Sequence, residues 1–160
     1  MSGNHFKLPT IPHFTLPAFI ARIGGRLPQW PHACVLTAVL NGALRAKLLS
    51  RDDLQPLAGK TFLIDVLDTG GKAAFTYRDE CFCPLFSLPE TPDLAFRADL
   101  SAFLQLAVRQ EDPDTLFFNR QLSIEGDTEL GLIVKNMLDA LEWPEFPGLS
   151  AFGKRFRHSA

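Results

Sequence analysis

The most regular apolar spacing in the chain starts at Leu130 and continues through Ile133, Val134, Met137, Leu138 and Leu141, in steps of three, one, three, one and three. Residues three and four apart share one face of an α-helix, so this run predicts an amphipathic helix. Asp127 stands before it as a helix cap, and Trp143-Pro144 ends it. A second stripe, Leu36, Leu40, Leu44 and Leu48 flanked by Val39 and Ala43, predicts a helix over residues 31–50 with Pro31 in its first turn. Between these two helices the period falls to two. Phe62, Ile64 and Val66 alternate across residues 60–68, Ala73, Phe75 and Tyr77 alternate across 72–79, and Thr69-Gly70-Gly71 between them completes a β-hairpin signal. A third strand over 81–87 contains Pro84, which has no ladder donor and so belongs at an edge or a bulge. Leu94, Phe96 and Ala98 mark a fourth strand, after the turn Pro89-Glu90-Thr91-Pro92. Asp99 or Ser101 then caps a helix that buries Phe103, Leu104 and Ala107 and fades by Gln110. Asp112-Pro113-Asp114 predicts a turn, and Gln121 to Gly126 a last strand with Leu122 and Ile124 inward.

The element order is helix, four strands in a meander, helix, strand, helix. It predicts an α+β domain over residues 32–144, with helices on one face of a mostly antiparallel five-stranded sheet. Residues 1–31 hold five of the twelve prolines, which forbid a long helix and predict an arm of extended pieces. A short helix fits between Pro17 and Pro28, with Phe19, Ile20, Ile23 and Leu27 on one side and Arg22 and Arg26 elsewhere. Residues 145–160 form a basic tail.

Composition adds a bias to this pattern. The chain has 14 Phe against one Tyr and two Trp, and Phe is the aromatic with no polar handle. Such a chain builds apolar surface that asks for no hydrogen bond, as core or as cavity wall. The net charge of -2 also conceals a division. Residues 1–51 contain six basic residues and no acidic one, residues 52–144 hold seventeen acidic against seven basic, and the last sixteen hold three basic against one acidic. Basic segments interleaved with Phe, Leu and Ile suit a membrane surface, where cations meet anionic headgroups and apolar side chains enter the acyl boundary. On that reading Phe19, Ile20, Arg22, Ile23 and Arg26 are the membrane contacts; the alternative is a solvated basic surface. Nucleic acid fits less well, because the acidic middle repels phosphate and no Gly-rich phosphate loop is present. The longest apolar run, Ala33 to Leu44, is interrupted by Thr37, Asn41 and Gly42, so no membrane-spanning helix is expected.

Candidate chemistry is sparse. Cys34, Cys81 and Cys83 are an odd number, which predicts free thiols in a reducing compartment and a cytoplasmic location. Cys81-Phe82-Cys83 is at most half a metal site, with no histidine near it in sequence. His5, His13, His32 and His158 all lie near the ends, so a His-based catalytic group in the core is not expected. Glu125, Asp127 and Glu129 cluster around Gly126, and serve better as a strand's outward face and a helix cap than as catalytic or metal-binding carboxylates. No catalytic residue, metal site or cofactor is assigned.

From Gln110 to Glu142 the chain reads QEDPDTLFFNRQLSIEGDTELGLIVKNMLDALE. This stretch resembles the C-terminal half of sterol-carrier-protein type 2 domains and looks most like their bacterial UbiT branch. The resemblance rests on Asp112-Pro113-x-Thr115-Leu116-Phe117-Phe118-x-Arg120 followed by Leu122-x-Ile124-Glu125-Gly126-Asp127-Thr128-Glu129-Leu130-Gly131, and extends more weakly back to about Leu36. It implies helices on a mostly antiparallel sheet around a hydrophobic tunnel. It also implies a non-catalytic lipid-binding accessory factor for oxygen-independent ubiquinone biosynthesis. Its ligands are isoprenoid quinone intermediates or phospholipid, its partners the UbiU and UbiV hydroxylase proteins, and its place the cytoplasm with peripheral attachment at the inner membrane. The alternatives are a general intracellular lipid carrier and a membrane-docking adaptor without a lipid cavity. Phe75, Tyr77, Phe96, Phe103, Phe117, Phe118, Leu132 and Met137 are the expected wall residues of the tunnel, with core as the competing role for each.

Overall fold

The computed structural model describes residues 10–13, 19, 22, 28, 30–108 and 110–140. Its elements in chain order are α1 (Trp30–Arg45), a 3-10 turn (Gln55–Leu57), β1 (Thr61–Val66), β2 (Gly71–Arg78), β3 (Cys81–Leu85), β4 (Leu94–Ala98), α2 (Leu100–Ala107), α3 (Pro113–Phe118), β5 (Leu122–Gly126) and α4 (Thr128–Ala140). The five strands form one sheet in the order β3-β2-β1-β4-β5. Among the described residues no helix is long and apolar enough to cross a membrane.

Strand parity assigns the two faces of this sheet. Phe62 and Ile64 of β1, Phe75 and Tyr77 of β2, Phe82 of β3, Leu94 and Phe96 of β4, and Leu122 and Ile124 of β5 point to one side. There they join Leu36, Leu40 and Leu44 of α1, Ala102 and Phe103 of α2, Leu116 of α3, and Leu130, Ile133, Val134 and Met137 of α4 in a single core. The other face carries Leu63, Ala74 and Ala95, covered by Leu85 and Leu88 as the chain leaves β3. Pro84 stands on an edge strand, where its missing N–H costs no interior ladder bond.

The four-strand meander does not hold. β1, β2 and β3 follow one another antiparallel, but β4 crosses to the far side of β1 and pairs with it in parallel, Phe62 opposite Leu94. Asp93 fixes this register. Its carboxylate accepts from the Thr61 backbone N–H and from the Thr61 hydroxyl, both at 2.8 Å, and its own N–H donates back to that hydroxyl at 3.1 Å. Its carbonyl accepts from the Asp127 N–H at 2.8 Å, so one residue ties the starts of β1 and β4 to the end of β5. These donors, the Thr61 N–H first, hold the Asp93 carboxyl below the usual aspartate range. A depressed folded value adds stability above the ordinary aspartate value of about 3.9, and that stability is lost as pH falls through the lowered one. Urea unfolding at neutral pH and near pH 3 checks this: Asp93→Asn is expected to be less stable than the parent at neutral pH, with the gap closing in acid.

Helix ends differ from the sequence pattern in several places. α1 stops at Arg45 rather than Ser50, because Lys47 takes φ 58°. The Leu48 N–H then reaches the Ala43 carbonyl at 3.0 Å and the Lys47 N–H the Leu44 carbonyl at 3.1 Å, a Schellman ending without glycine. Leu48 therefore lies outside the helix, and Val39 faces solvent. The Asp112-Pro113-Asp114 turn is the first turn of α3. Asp112 accepts from the Thr115 N–H at 2.8 Å and from its hydroxyl at 2.7 Å, and Arg120, at φ 59°, ends the helix in the same way as Lys47. At α2, Asp99 holds the cap position but makes no side-chain cap bond; the Leu100 N–H donates to Asp68 instead, at 2.8 Å. Leu104 and Ala107 are exposed there, while Ser101, Ala102 and Gln105 are buried. Asp127 caps α4 as its position predicts, accepting from the Glu129 and Leu130 N–H groups at 3.0 and 3.1 Å.

Two contacts pin peripheral segments to this frame. Asn41 of α1 grips the Phe82 backbone on the outer side of β3, accepting from its N–H and donating to its carbonyl, each at 2.8 Å. Gln105 and Gln110 donate to the Ile11 carbonyl at 3.0 and 2.8 Å, so part of the proline-rich arm is docked beside α2.

Candidate lipid-binding site

Four of the aromatic side chains on the helix-covered face form a continuous ladder across β1, β2 and β3. Phe62 stacks on Phe75 with centroids 5.2 Å apart, Phe75 meets Phe82 edge-on at 5.9 Å, and Tyr77 meets Phe82 at 5.0 Å. All four are buried, so the expected wall residues Phe75 and Tyr77 have rings as neighbours. Phe96 is buried between Ile64 and Ile124 on the adjoining strands. Tyr77 is 2% exposed, and among the described residues its hydroxyl has no hydrogen-bond partner. Burial pushes this phenol above its ordinary value, and the Glu80 carboxylate adds to the rise.

Open volume lies at the other end of the hairpin. A pocket of about 250 Å³ sits beneath the β1–β2 turn. Its walls are Ile64, Val66 and Ala73 of the two strands and Leu100 at the start of α2, with Gly71 leaving space beside them. His32, Thr69 and Lys72 complete the lining. The Thr69 hydroxyl is already engaged, donating to the Val66 carbonyl and accepting from the Gly71 N–H, and the Lys72 ammonium lies 3.6 Å from Asp65. His32 is different. Among the described residues its buried Nδ1 has no hydrogen-bond partner, and its ring lies beside Gly71. The pocket thus combines apolar walls with the ring of His32, whose Cδ2 and Nε2 edge lies on the Gly71 side. Sequence reasoning missed His32, although it stands one turn before Leu36 on the same stripe as Leu40 and Leu44.

The remaining expected wall residues divide in two. Phe103 and Met137 are half-buried and pack against the core. Phe117, Phe118 and Leu132 are 48%, 79% and 54% exposed. Pro113 and Leu116 take the inward positions of α3, which turns Phe117 and Phe118 outward with their rings 6.0 Å apart. A 2.7 Å ion pair between Asp114 and Lys135 joins α3 to α4, the two helices that carry these exposed side chains. Of the expected membrane contacts, Phe19 and Arg22 are exposed, and Ile20, Ile23 and Arg26 lie outside the described residues. Glu125 pairs with Arg97 at 3.0 Å, which with the Asp127 cap accounts for two of the three clustered carboxylates.

Residues 40–139 match the SCP-2 sterol transfer family, well over half of the chain. The chain belongs to that family. A 55-residue stretch is 60% identical to the ubiquinone biosynthesis accessory factor UbiT of Escherichia coli strain K12, and equally to that of Escherichia coli O157:H7. The stretch covers 34% of this chain and 32% of those proteins, so the chain matches about a third of their length. Among solved structures, a ubiquinone synthesis protein described as UbiJ-SCP2 superposes with a TM-score of 0.53 at 17% identity, covering 68% of this chain and 96% of that one. That likeness establishes the SCP-2 fold. The mostly antiparallel five-stranded sheet with helices gathered on one face is the family's architecture in this chain.

Proposed function

We propose that this SCP-2 family protein is a non-catalytic lipid-binding accessory factor of ubiquinone biosynthesis. The observation that carries the reading is the 60% identical stretch shared with UbiT, beside the apolar pocket that this SCP-2 fold holds. The ligand is an isoprenoid quinone intermediate or a phospholipid. Each methylene such a molecule buries is worth about 0.8 kcal/mol, which is the driving force a soluble host supplies. At about 250 Å³ the pocket is smaller than most ligand clefts, which run from about 300 to 1,000 Å³. It accommodates a ring or a short stretch of chain beside the His32 ring, and a longer chain requires Phe103 and Met137 of the helix layer to part from Phe75 and Phe96 of the sheet. The ubiquinone route served is the oxygen-independent one, with UbiU and UbiV as the hydroxylase partners. The basic arm, through Phe19, Ile20, Arg22, Ile23 and Arg26, attaches this cytoplasmic protein to the membrane surface.

A second reading, an adaptor with no lipid cavity, draws support from the exposed Phe117, Phe118 and Leu132, which offer an apolar contact on the outside of the core. Organic extraction of the purified protein followed by mass spectrometry separates the two. Prenylated or acyl lipid recovered in stoichiometric amount, or loaded from vesicles, is the expected result. An empty protein that still floats with liposomes leaves the adaptor alone.

A further inference from the structure

Cys81 and Cys83 stand two residues apart on β3, so both side chains leave the strand on the face away from the helices, with Phe82 between them on the other face. Their sulfurs lie 3.6 Å apart, both thiols are free, and both side chains are only half-buried. The hairpin before them is tight. Asp79 and Glu80 form its two-residue loop with φ 49° and 59°, left-handed values that neither glycine nor asparagine is there to ease.

We propose that Cys81 and Cys83 form a reversible dithiol–disulfide site that reacts with low-molecular-weight disulfides of the glutathione type. The Cys83 thiolate attacks one sulfur of the oxidised glutathione, forming a mixed disulfide and releasing one glutathione thiolate, which takes up a proton. Cys81 then gives up its proton and attacks the Cys83 sulfur, and the second glutathione leaves. Two protein thiols lose two electrons in total, and one disulfide becomes two thiols. The contact between the sulfurs, in which either can donate, holds the Cys81 thiol above its ordinary value, with burial adding to it, and the same exchange runs with the two cysteines exchanged.

Closure has a structural consequence. Bonded sulfurs lie about 2 Å apart, and their α-carbons lie most often about 5.5–6 Å apart. Two residues of extended strand span about 6.6–6.8 Å, at the upper limit for bridged α-carbons and beyond the about 3.5–4.5 Å of bridged β-carbons, so the strand bends across Phe82 on closure. β3 has a strand neighbour on one side only, which makes that bend cheaper than it would be inside the sheet. Phe82 is also where Asn41 grips the backbone and where the aromatic ladder ends. The disulfide form therefore loosens α1 from β3.

The test uses the full chain with Cys34→Ser, so that only the pair can react. After incubation with oxidised glutathione, intact mass spectrometry is expected to show loss of two hydrogens and no remaining alkylatable thiol, both reversed by dithiothreitol. Adding Cys81→Ser is expected to trap a stable glutathione adduct on Cys83. Amide exchange at Phe82 is expected to quicken about tenfold or more on oxidation, because its acceptor on Asn41 is displaced. Accumulation of glutathione adducts in the parent as stable as those of the Cys81→Ser variant overturns the site. Closure with unchanged exchange at Phe82 overturns the link to α1. Neither outcome depends on which lipid the pocket takes.

Discussion

Replacing Gly126 with alanine is expected to cost about 3 kcal/mol or more, lowering the melting temperature by roughly 6 °C or beyond for a chain of this size. Gly126 ends β5 at φ +123°, and a methyl group there would lie 2.3 Å from the Asp93 carbonyl oxygen and 3.0 Å from its carbon. Both atoms are backbone, so neither can swing aside. They also belong to the residue that registers β4 against β1 and accepts from the Asp127 N–H, so relieving the clash disturbs three strand ends together. Gly59 provides the comparison. It too has a positive φ, +75°, but nothing lies within 4 Å of an added methyl, so Gly59→Ala is expected to lose only about 1 kcal/mol for its left-handed backbone. Thermal melts of the two variants side by side decide the matter; equal losses would mean that contact with Asp93 is not what requires glycine at Gly126.

Filling the pocket is expected to abolish its use while leaving the fold in place. Ala73 is buried on the pocket wall, opposite Ile64. A leucine there enters space that is already open, so Ala73→Leu is expected to change stability by no more than about 1 kcal/mol in either direction. Lipid recovered from the purified variant, or transferred to it from vesicles, is expected to fall about tenfold or more, since removing two methylenes of buried contact alone is worth about 1.6 kcal/mol. Undiminished loading in a correctly folded Ala73→Leu protein would place the lipid elsewhere in the core and remove the pocket from the mechanism.

How far the chain discloses this arrangement depends on what each signal measures. Alternation in Phe62–Val66 and Ala73–Tyr77 reports which face of a strand is wet, and the glycines between them report a turn, so the hairpin was readable. The same alternation in Leu94, Phe96 and Ala98 gives a face but no neighbour. Parallel pairing with β1 depends on Asp93 meeting Thr61 across thirty-two positions of chain, which no local pattern encodes. α3 was hidden for a different reason. Helix ends are usually found by a following glycine, and here Arg120 adopts the left-handed conformation instead.

The site shows the sharper contrast. An excess of Phe points equally to cavity walls and to core, and in β1–β3 the rings fill their space by touching one another. A cavity is made where side-chain volume is missing, so its walls are Gly71, Ala73 and Val66 rather than the large aromatics. Composition counts what is present and is silent about where bulk is withheld. The resemblance of residues 110–142 to sterol carrier domains therefore carried the family reading further than the aromatic count could.

The grip of Asn41 on Phe82 also bears on how the protein behaves in a crowd. Among the described residues β3 is an edge of the sheet, and an edge with bare N–H and C=O groups invites the strand of another molecule to add to it. At Phe82 both groups are occupied by one side-chain amide, which presents a donor and an acceptor with nearly the spacing of a peptide. One residue of α1 thus imitates a neighbouring strand for the length of one ladder rung, and Pro84 removes a donor two positions further on. Through that amide, one rung of the β3 edge stays covered against an added strand for as long as α1 remains in place.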